Sequence, residues 1–301
     1  MNAPPSRLSG TGPGAWVPAL CLTFNALVWG VSWWPLRQLQ AIGLHPLWAT
    51  VLVYLVAVLV IVAARPAALR QLLRTPALWV LVLASGTTNA AFNWAMVIGD
   101  VVRVVLLFYL MPLWAVLLAR LVLKERLTQL AALRVALALA GAAVVLWPVG
   151  GGWPWPSSLA DLLGLVGGAS FALNNVMLRR EAAQPEEGRA LAMFAGGVIV
   201  AGALAAGLAL GGDVPWPPAP ASGWVLGVLA LSVAYLLSNL SLQIGAARLP
   251  ANVTAVVMLT EVVFAAGSAL WLGGGTMTLP LAAGGALILV AALLAALERR
   301  R

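Results

Sequence analysis

PLWATVLVYLVAVLVIVAA, residues 46–64, decides the fold of this chain. The run has no charged residue and is close to the roughly 20 apolar residues that a helix needs to cross the hydrocarbon core of a membrane. Because the bilayer core holds no water to satisfy backbone N–H and C=O groups, a helix is the expected form of such a run. We predict ten runs of this kind, Trp16–Leu36, Pro46–Ala64, Pro76–Ile98, Val101–Leu123, Thr128–Pro148, Asp161–Leu178, Ala190–Leu210, Gly223–Gln243, Pro250–Leu272 and Thr278–Leu297.

Composition and charge agree with a multi-pass protein. Hydrophobic residues make up 62% of the chain and charged residues 9%, against about 25% charged residues in soluble domains. If the runs alternate in direction, all 17 Lys and Arg residues except Arg37 and Arg103 fall on one side. The positive-inside rule makes that side the cytoplasm. We therefore expect a bacterial inner-membrane protein with both termini in the cytoplasm. The net charge of +8 comes from helix ends, so no nucleic-acid partner is expected.

The sequence repeats internally. Thr88–Ala95 aligns with Ser238–Gly245 at an offset of 150 residues, and the segments around Trp29 and Phe171 also correspond. Each half has five spans, and an odd number inverts the second half relative to the first. Inverted repeats are typical of secondary transporters, which bind substrate near the midplane between the halves. We predict a disordered cytoplasmic N-terminus (1–15), a first repeat (16–148), an outer loop (149–160), a second repeat (161–297) and a cytoplasmic C-terminus (298–301).

Two motifs resemble a known family. Met111–Thr128, MPLWAVLLARLVLKERLT, resembles the Pro…Gly-Glu-Arg-Leu-Thr signature of the EamA branch of the drug/metabolite transporter (DMT) superfamily. Leu259–Phe264 is similar to that branch's Leu-Glu-Pro-Val-Phe segment, although Val262 stands where the family has Pro and Gly275 where it has Glu. The resemblance covers nearly the whole chain and is greatest to the YddG aromatic amino-acid exporters. It implies export of amino acids, including aromatic ones. The departures leave the bend of the ninth span and the substrate open.

Polar and aromatic side chains recur at helical spacing in five spans, which places each set on one helix face. Amides in lipid are costly and should face the interior of the bundle. Each could instead join helices through hydrogen bonds, worth roughly 0.6 kcal/mol on average. Five such stripes favour a central cavity. The sets are Asn25, Trp29, Ser32 and Trp33; Ser85, Asn89 and Asn93; Ser170, Phe171, Asn174 and Asn175; Ser232, Tyr235, Asn239 and Gln243; and Thr254, Met258 and Glu261. From these sets we predict as substrate-binding residues Trp29, Ser32, Trp33, Asn89, Asn93, Asn174, Tyr235, Asn239, Gln243 and Met258.

Glu261 has four open interpretations and Pro112 has two. Glu261 is the only acid deep in a span. It could bind a cationic amino group, carry a coupling proton, stay protonated or pair with a neighbour, and its match to a family position favours a structural role. Pro112 lies mid-span, where it frees a backbone carbonyl. It could kink the helix or form a bend that gates transport.

Several residue types are absent from the span centres. No Lys or Arg lies there to bind phosphate, which disfavours sugar-phosphate carriers. His45 and Cys21 are the only residues of their types, so we expect no metal site and no cofactor. Because the spans have no interior His and no clustered acids, as membrane proteases or transferases would need, we expect no enzyme. We predict an all-α carrier of ten transmembrane helices, arranged as two inverted repeats, that exports small organic solutes by alternating access. Its expected partners are the substrate and the lipid bilayer, and it is expected to be a monomer because one chain holds both halves. The alternative is a broad exporter of drug-like or other metabolites.

Overall fold

The computed structural model of the chain describes residues 16–122, 128–148, 152–249 and 251–297. The predicted N-terminus (1–15), the predicted C-terminus (298–301) and the first three residues of the predicted outer loop (149–151) lie outside these ranges. The described residues contain no β-strand. They form the helices α1 Trp16–Val31, α2 Trp33–Ala41, α3 Pro46–Ala64, α4 Pro66–Arg74, α5 Pro76–Ile98, α6 Val101–Phe108, α7 Met111–Val122, α8 Gln129–Leu146, α9 Leu159–Arg180, α10 Glu186–Gly211, α11 Ser222–Arg248, α12 Ala251–Met258, α13 Thr260–Leu272 and α14 Leu279–Leu297.

Ten helical stretches of the described residues are long and apolar enough to cross a membrane. The predicted all-α fold with ten spans is thereby confirmed. Some predicted bounds were too short: α11 continues past Gln243 to Arg248, and the first span continues past Leu36 to Ala41 as α2. The helix α4, between the second and third spans, was not predicted.

Three spans that the sequence predicted as single helices are broken. The first span breaks at Ser32, between α1 and α2. Pro35 explains this break, because a proline has no N–H to donate to the carbonyl four residues earlier and its ring clashes with that carbonyl. That carbonyl belongs to Val31, the last residue of α1. Pro112 acts in the same way on Phe108, the last residue of α6. The sequence had left open a kink at Pro112 and a bend in the ninth span, and both spans are broken; the break at Ser32 was not anticipated.

The ninth span breaks at Leu259 without a proline. The Val262 N–H donates to the Leu259 carbonyl at 3.1 Å, three residues back and not four. The Met258 carbonyl thereby loses its helical partner and instead lies 3.3 Å from the Tyr109 hydroxyl. The Tyr109 side chain, from the break in the fourth span, thus satisfies the carbonyl that this break frees. The break at Leu259 lies 150 residues after Tyr109, the residue that follows α6.

Close glycine contacts fix the packing of the helices. α5 packs against α10 where Gly86 meets Gly196, and a Cβ at Gly196 would lie 2.3 Å from the Val82 carbonyl oxygen. α8 packs against α14 through Gly141 and Gly284. Small residues let backbones approach in membranes, where van der Waals packing holds helices together. The largest hydrophobic cluster joins α2, α5, α6, α7, α8, α9, α13 and α14, so the core contains helices of both predicted repeats.

Candidate functional site

All three tyrosines of the chain are buried near the middle of their spans. The Tyr235 ring of α11 stacks on the Trp29 indole of α1, with ring centroids 4.6 Å apart and planes at 19°. Tyr54 of α3 meets Tyr235 edge-on at 5.9 Å. The Tyr54 hydroxyl donates to Asn89 Oδ1 at 2.7 Å. We call Trp29, Tyr54, Asn89 and Tyr235 the central cluster. It draws on four spans and on both predicted repeats.

The Tyr235 hydroxyl is buried and has no hydrogen-bond partner within the described residues. The Ser32 side chain lies close enough to interact with it. The Ser32 hydroxyl instead donates to the Trp29 carbonyl at 2.9 Å, at the break between α1 and α2. Buried polar groups in native structures nearly always have a partner. The Tyr235 hydroxyl is therefore available to a bound molecule.

A second set of polar contacts connects two of the three broken spans, the fourth and the ninth. The Tyr109 hydroxyl lies 3.1 Å from Glu261 Oε2 as well as close to the Met258 carbonyl, so two acceptors share its proton. Glu261 lies in the first turn of α13, where the positive end of the helix dipole favours a carboxylate. Gly30 of α1 packs on the backbone of Glu261, where an added Cβ would lie 2.8 Å from the carbonyl oxygen. Glu261 therefore lies beside Gly30, which directly follows Trp29 in α1.

The structure places three predicted site residues apart from the central cluster. Trp33 donates from its indole N–H to Ser268 Oγ at 2.9 Å. Asn93 is buried and donates to Thr50 Oγ1 at 3.0 Å. Asn174 is buried on α9, and its amide oxygen has no hydrogen-bond partner within the described residues. Trp33 and Asn93 thus join helices in the manner of structural hydrogen bonds, and the amide oxygens of Asn93 and Asn174 both lack a hydrogen-bond partner within the described residues.

The remaining predicted residues lie along α11 and at the breaks. Gln243 donates to Asn239 Oδ1 at 2.7 Å, one helical turn apart on α11. This pair continues the face of Tyr235 toward the end of α11. Met258 ends α12 and contributes its backbone carbonyl to the Tyr109 contact. Pro112 is buried in the first turn of α7.

Both basic residues of the predicted outer side are held in hydrogen-bond networks. Arg37 donates to the carbonyl oxygens of Val97 at 3.1 Å and of Gly99 at 2.5 Å, and it lies over the Trp33 ring. Arg103 donates to both carboxylate oxygens of Asp161, at 2.7 and 3.0 Å. These charges are satisfied by the protein itself, so they are not free to bind an anionic solute.

Sequence reasoning missed Tyr54 and Tyr109. Tyr54 was overlooked because only one polar side chain, Thr50 one turn before it, lies at helical spacing from it in an otherwise apolar run. A signal was present in the position of the tyrosines. Tyrosines that anchor helices lie at the membrane interface, whereas Tyr54, Tyr109 and Tyr235 lie at mid-span. Among the described residues, no group of His, Cys, Asp and Glu could hold a metal ion.

Comparison with known proteins supports the class of the fold. Residues 16–147 match the model of the EamA-like transporter family. This segment coincides with the predicted first repeat. A solved chain described only as "Crystal structure of protein" is similar over 92% of this chain and 96% of its own length, with a TM-score of 0.58 and 22% sequence identity. At that identity the likeness shows the fold alone. No protein of curated function matches the sequence.

Proposed function

We propose that the chain is a secondary transporter of the EamA family, within the DMT superfamily, that exports small organic solutes by alternating access. The match of residues 16–147 supports the family, and ten apolar helices of spanning length support a carrier that crosses the membrane ten times. The same resemblance favours transport over catalysis. We place the protein in the bacterial inner membrane with both termini in the cytoplasm, because loops rich in Lys and Arg alternate along the chain with loops that are poor in them.

The main support for transport comes from the breaks in the fourth and ninth spans. The fourth and ninth spans break at positions 150 residues apart, and the Tyr109 hydroxyl joins the two breaks. In secondary transporters, discontinuous helices supply free backbone groups at the midplane, between the inverted repeats. The breaks here lie at equivalent positions of the predicted repeats. A purely structural bundle would have no need of paired breaks at its centre.

The central cluster favours an amphipathic, zwitterionic solute. The faces of Trp29, Tyr54 and Tyr235 can stack on an apolar or aromatic side chain. The unpartnered Tyr235 hydroxyl can bond a carboxylate or amino group. Glu261 packs against Gly30, the residue that follows Trp29, so an acid lies beside this cluster. We therefore propose amino acids, including aromatic ones, as the substrates, in line with the resemblance to the YddG exporters.

The test is uptake of labelled phenylalanine by vesicles that contain the purified protein and are preloaded with unlabelled phenylalanine. We expect Trp29→Ala to abolish most of the exchange. Trp271→Ala is the matched control, because Trp271 is exposed near the end of α13 and should leave exchange intact. Equal loss in both variants would contradict the assignment of the central cluster. Exchange of a drug-like organic cation without exchange of any amino acid would favour the alternative, a broad exporter.

A further inference from the structure

The helix α4, Pro66–Arg74, carries two kinds of exposed side chain on one short element. Its sequence, PAALRQLLR, contains no acid. Ala68 and Leu72 are buried against the neighbouring spans. Leu69 and Leu73 are 42% and 63% exposed. A helix with one apolar face packed on protein and further leucines left open has apolar surface that something else must cover.

The connections of α4 fix its depth. One residue, Arg65, separates it from the end of the second span, and one residue, Thr75, separates it from the start of the third. Both ends of α4 are therefore held at the same boundary of the membrane, where these two spans end. A helix tied at both ends to one level lies along that level. Its exposed leucines are thus within reach of lipid.

The arginines on α4 and at its start are exposed and have no carboxylate partner. Arg65, Arg70 and Arg74 are exposed, and no carboxylate of the described residues pairs with them. The other arginines discussed above, Arg37 and Arg103, are all held by the protein. Guanidinium groups bind phosphate through paired N–H donors. Arginines next to exposed leucines, on a helix that lies along the membrane surface, match the pattern of an interfacial lipid-binding helix.

We infer that α4 binds anionic phospholipids, with Leu69 and Leu73 among the upper acyl chains and Arg65, Arg70 and Arg74 on the phosphate headgroups. The distribution of basic residues assigns this surface to the cytoplasmic leaflet, whose anionic lipids attract juxtamembrane arginines. The inference does not depend on what the protein transports. It would hold for any multi-pass protein with this element.

The test is a titration of the detergent-solubilised full chain with phosphatidylglycerol or phosphatidylcholine, read by native mass spectrometry. Arg70→Gln/Arg74→Gln should weaken phosphatidylglycerol binding by at least about tenfold, because each arginine near an anionic surface contributes measurably to binding. Arg120→Gln/Arg248→Gln is the matched control. These two arginines are also exposed near span ends, lose the same charge and should change binding less than about threefold.

Two further experiments distinguish binding through the phosphate headgroup from binding through the acyl chains. Soluble glycerol phosphate should not displace phosphatidylglycerol if the leucines contribute, and Leu69→Gln/Leu73→Gln should weaken lipid binding while all arginines remain. Because these residues are exposed, each variant should keep the thermal unfolding temperature of the wild type. Equal weakening by the two double arginine variants would overturn the inference. So would equal affinity for phosphatidylcholine and phosphatidylglycerol.

Discussion

The ion pair between Arg103 and Asp161 makes a quantitative test of the structure. Asp161 lies in the first turn of α9, and its side chain is 2% exposed, against 27% for Arg103. The carboxylate accepts two hydrogen bonds from Arg103 and one from the Ser157 N–H at 3.1 Å. Asp161→Asn keeps the shape of the side chain and removes its charge. It leaves the Arg103 guanidinium without its counter-ion.

The expected loss follows from the burial of the pair. Breaking a buried pair by removing one partner costs about 3–5 kcal/mol. Arg103 is partly exposed and keeps its hydrogen bond to the Val145 carbonyl, so the lower end applies, about 3 kcal/mol. Glu181→Gln is the matched control. Its partner Arg180 is 3.5 Å away and 57% exposed, and such pairs contribute less than about 1 kcal/mol.

The assay is thermal unfolding of both variants in the same detergent. At about 2 °C per kcal/mol for a chain of this size, Asp161→Asn should lower the unfolding temperature by about 6 °C. Glu181→Gln should change it by less than about 2 °C. The reasoning is refuted if the two variants shift the temperature equally, or if Asp161→Asn behaves as the wild type.

Three other predictions concern packing, the helix breaks and a helix cap. Gly196→Ala places a Cβ against the Val82 carbonyl and should lower the stability of the protein by about 1–3 kcal/mol. Gly207→Ala on the same helix has nothing within 4 Å of the added Cβ, so it should leave the thermal unfolding temperature unchanged. Tyr109→Phe removes the hydroxyl donor shared by Met258 and Glu261. It should lower stability by about 1–3 kcal/mol and reduce phenylalanine exchange. Unchanged values in both measurements would contradict the role of the breaks. His45 Nδ1 accepts from the Leu47 N–H at 3.3 Å, and burial lowers the pKa of His45 below its ordinary value. The stability that this cap supplies is therefore present above the ordinary pKa and is lost as the pH falls through it toward the lower folded value. His45→Asn, which keeps an acceptor, should flatten that part of the pH–stability curve, and an unchanged curve would count against the cap.

The sequence by itself determined the number of spans, their approximate positions and the candidate polar stripes. Lipid makes this possible, because a membrane helix must be apolar along its whole length and must satisfy its own backbone. Length and hydropathy therefore sufficed for runs such as Pro46–Ala64, whose predicted and observed bounds agree. The helical period was enough to place Tyr235, Asn239 and Gln243 on one face of α11.

Only the tertiary structure decided which of these side chains meet. Trp29 and Asn89 belong to the same cluster because Tyr54 and Tyr235, from two other spans, lie between them. Hydropathy carries no information about such neighbours, since every span is apolar. The break at Leu259 has the same origin. No proline lies at this break. The Met258 carbonyl that it frees accepts a hydrogen bond from Tyr109, which lies 149 positions earlier in the chain. Long-range hydrogen bonds of this kind depend on how helices pack, which local sequence does not specify.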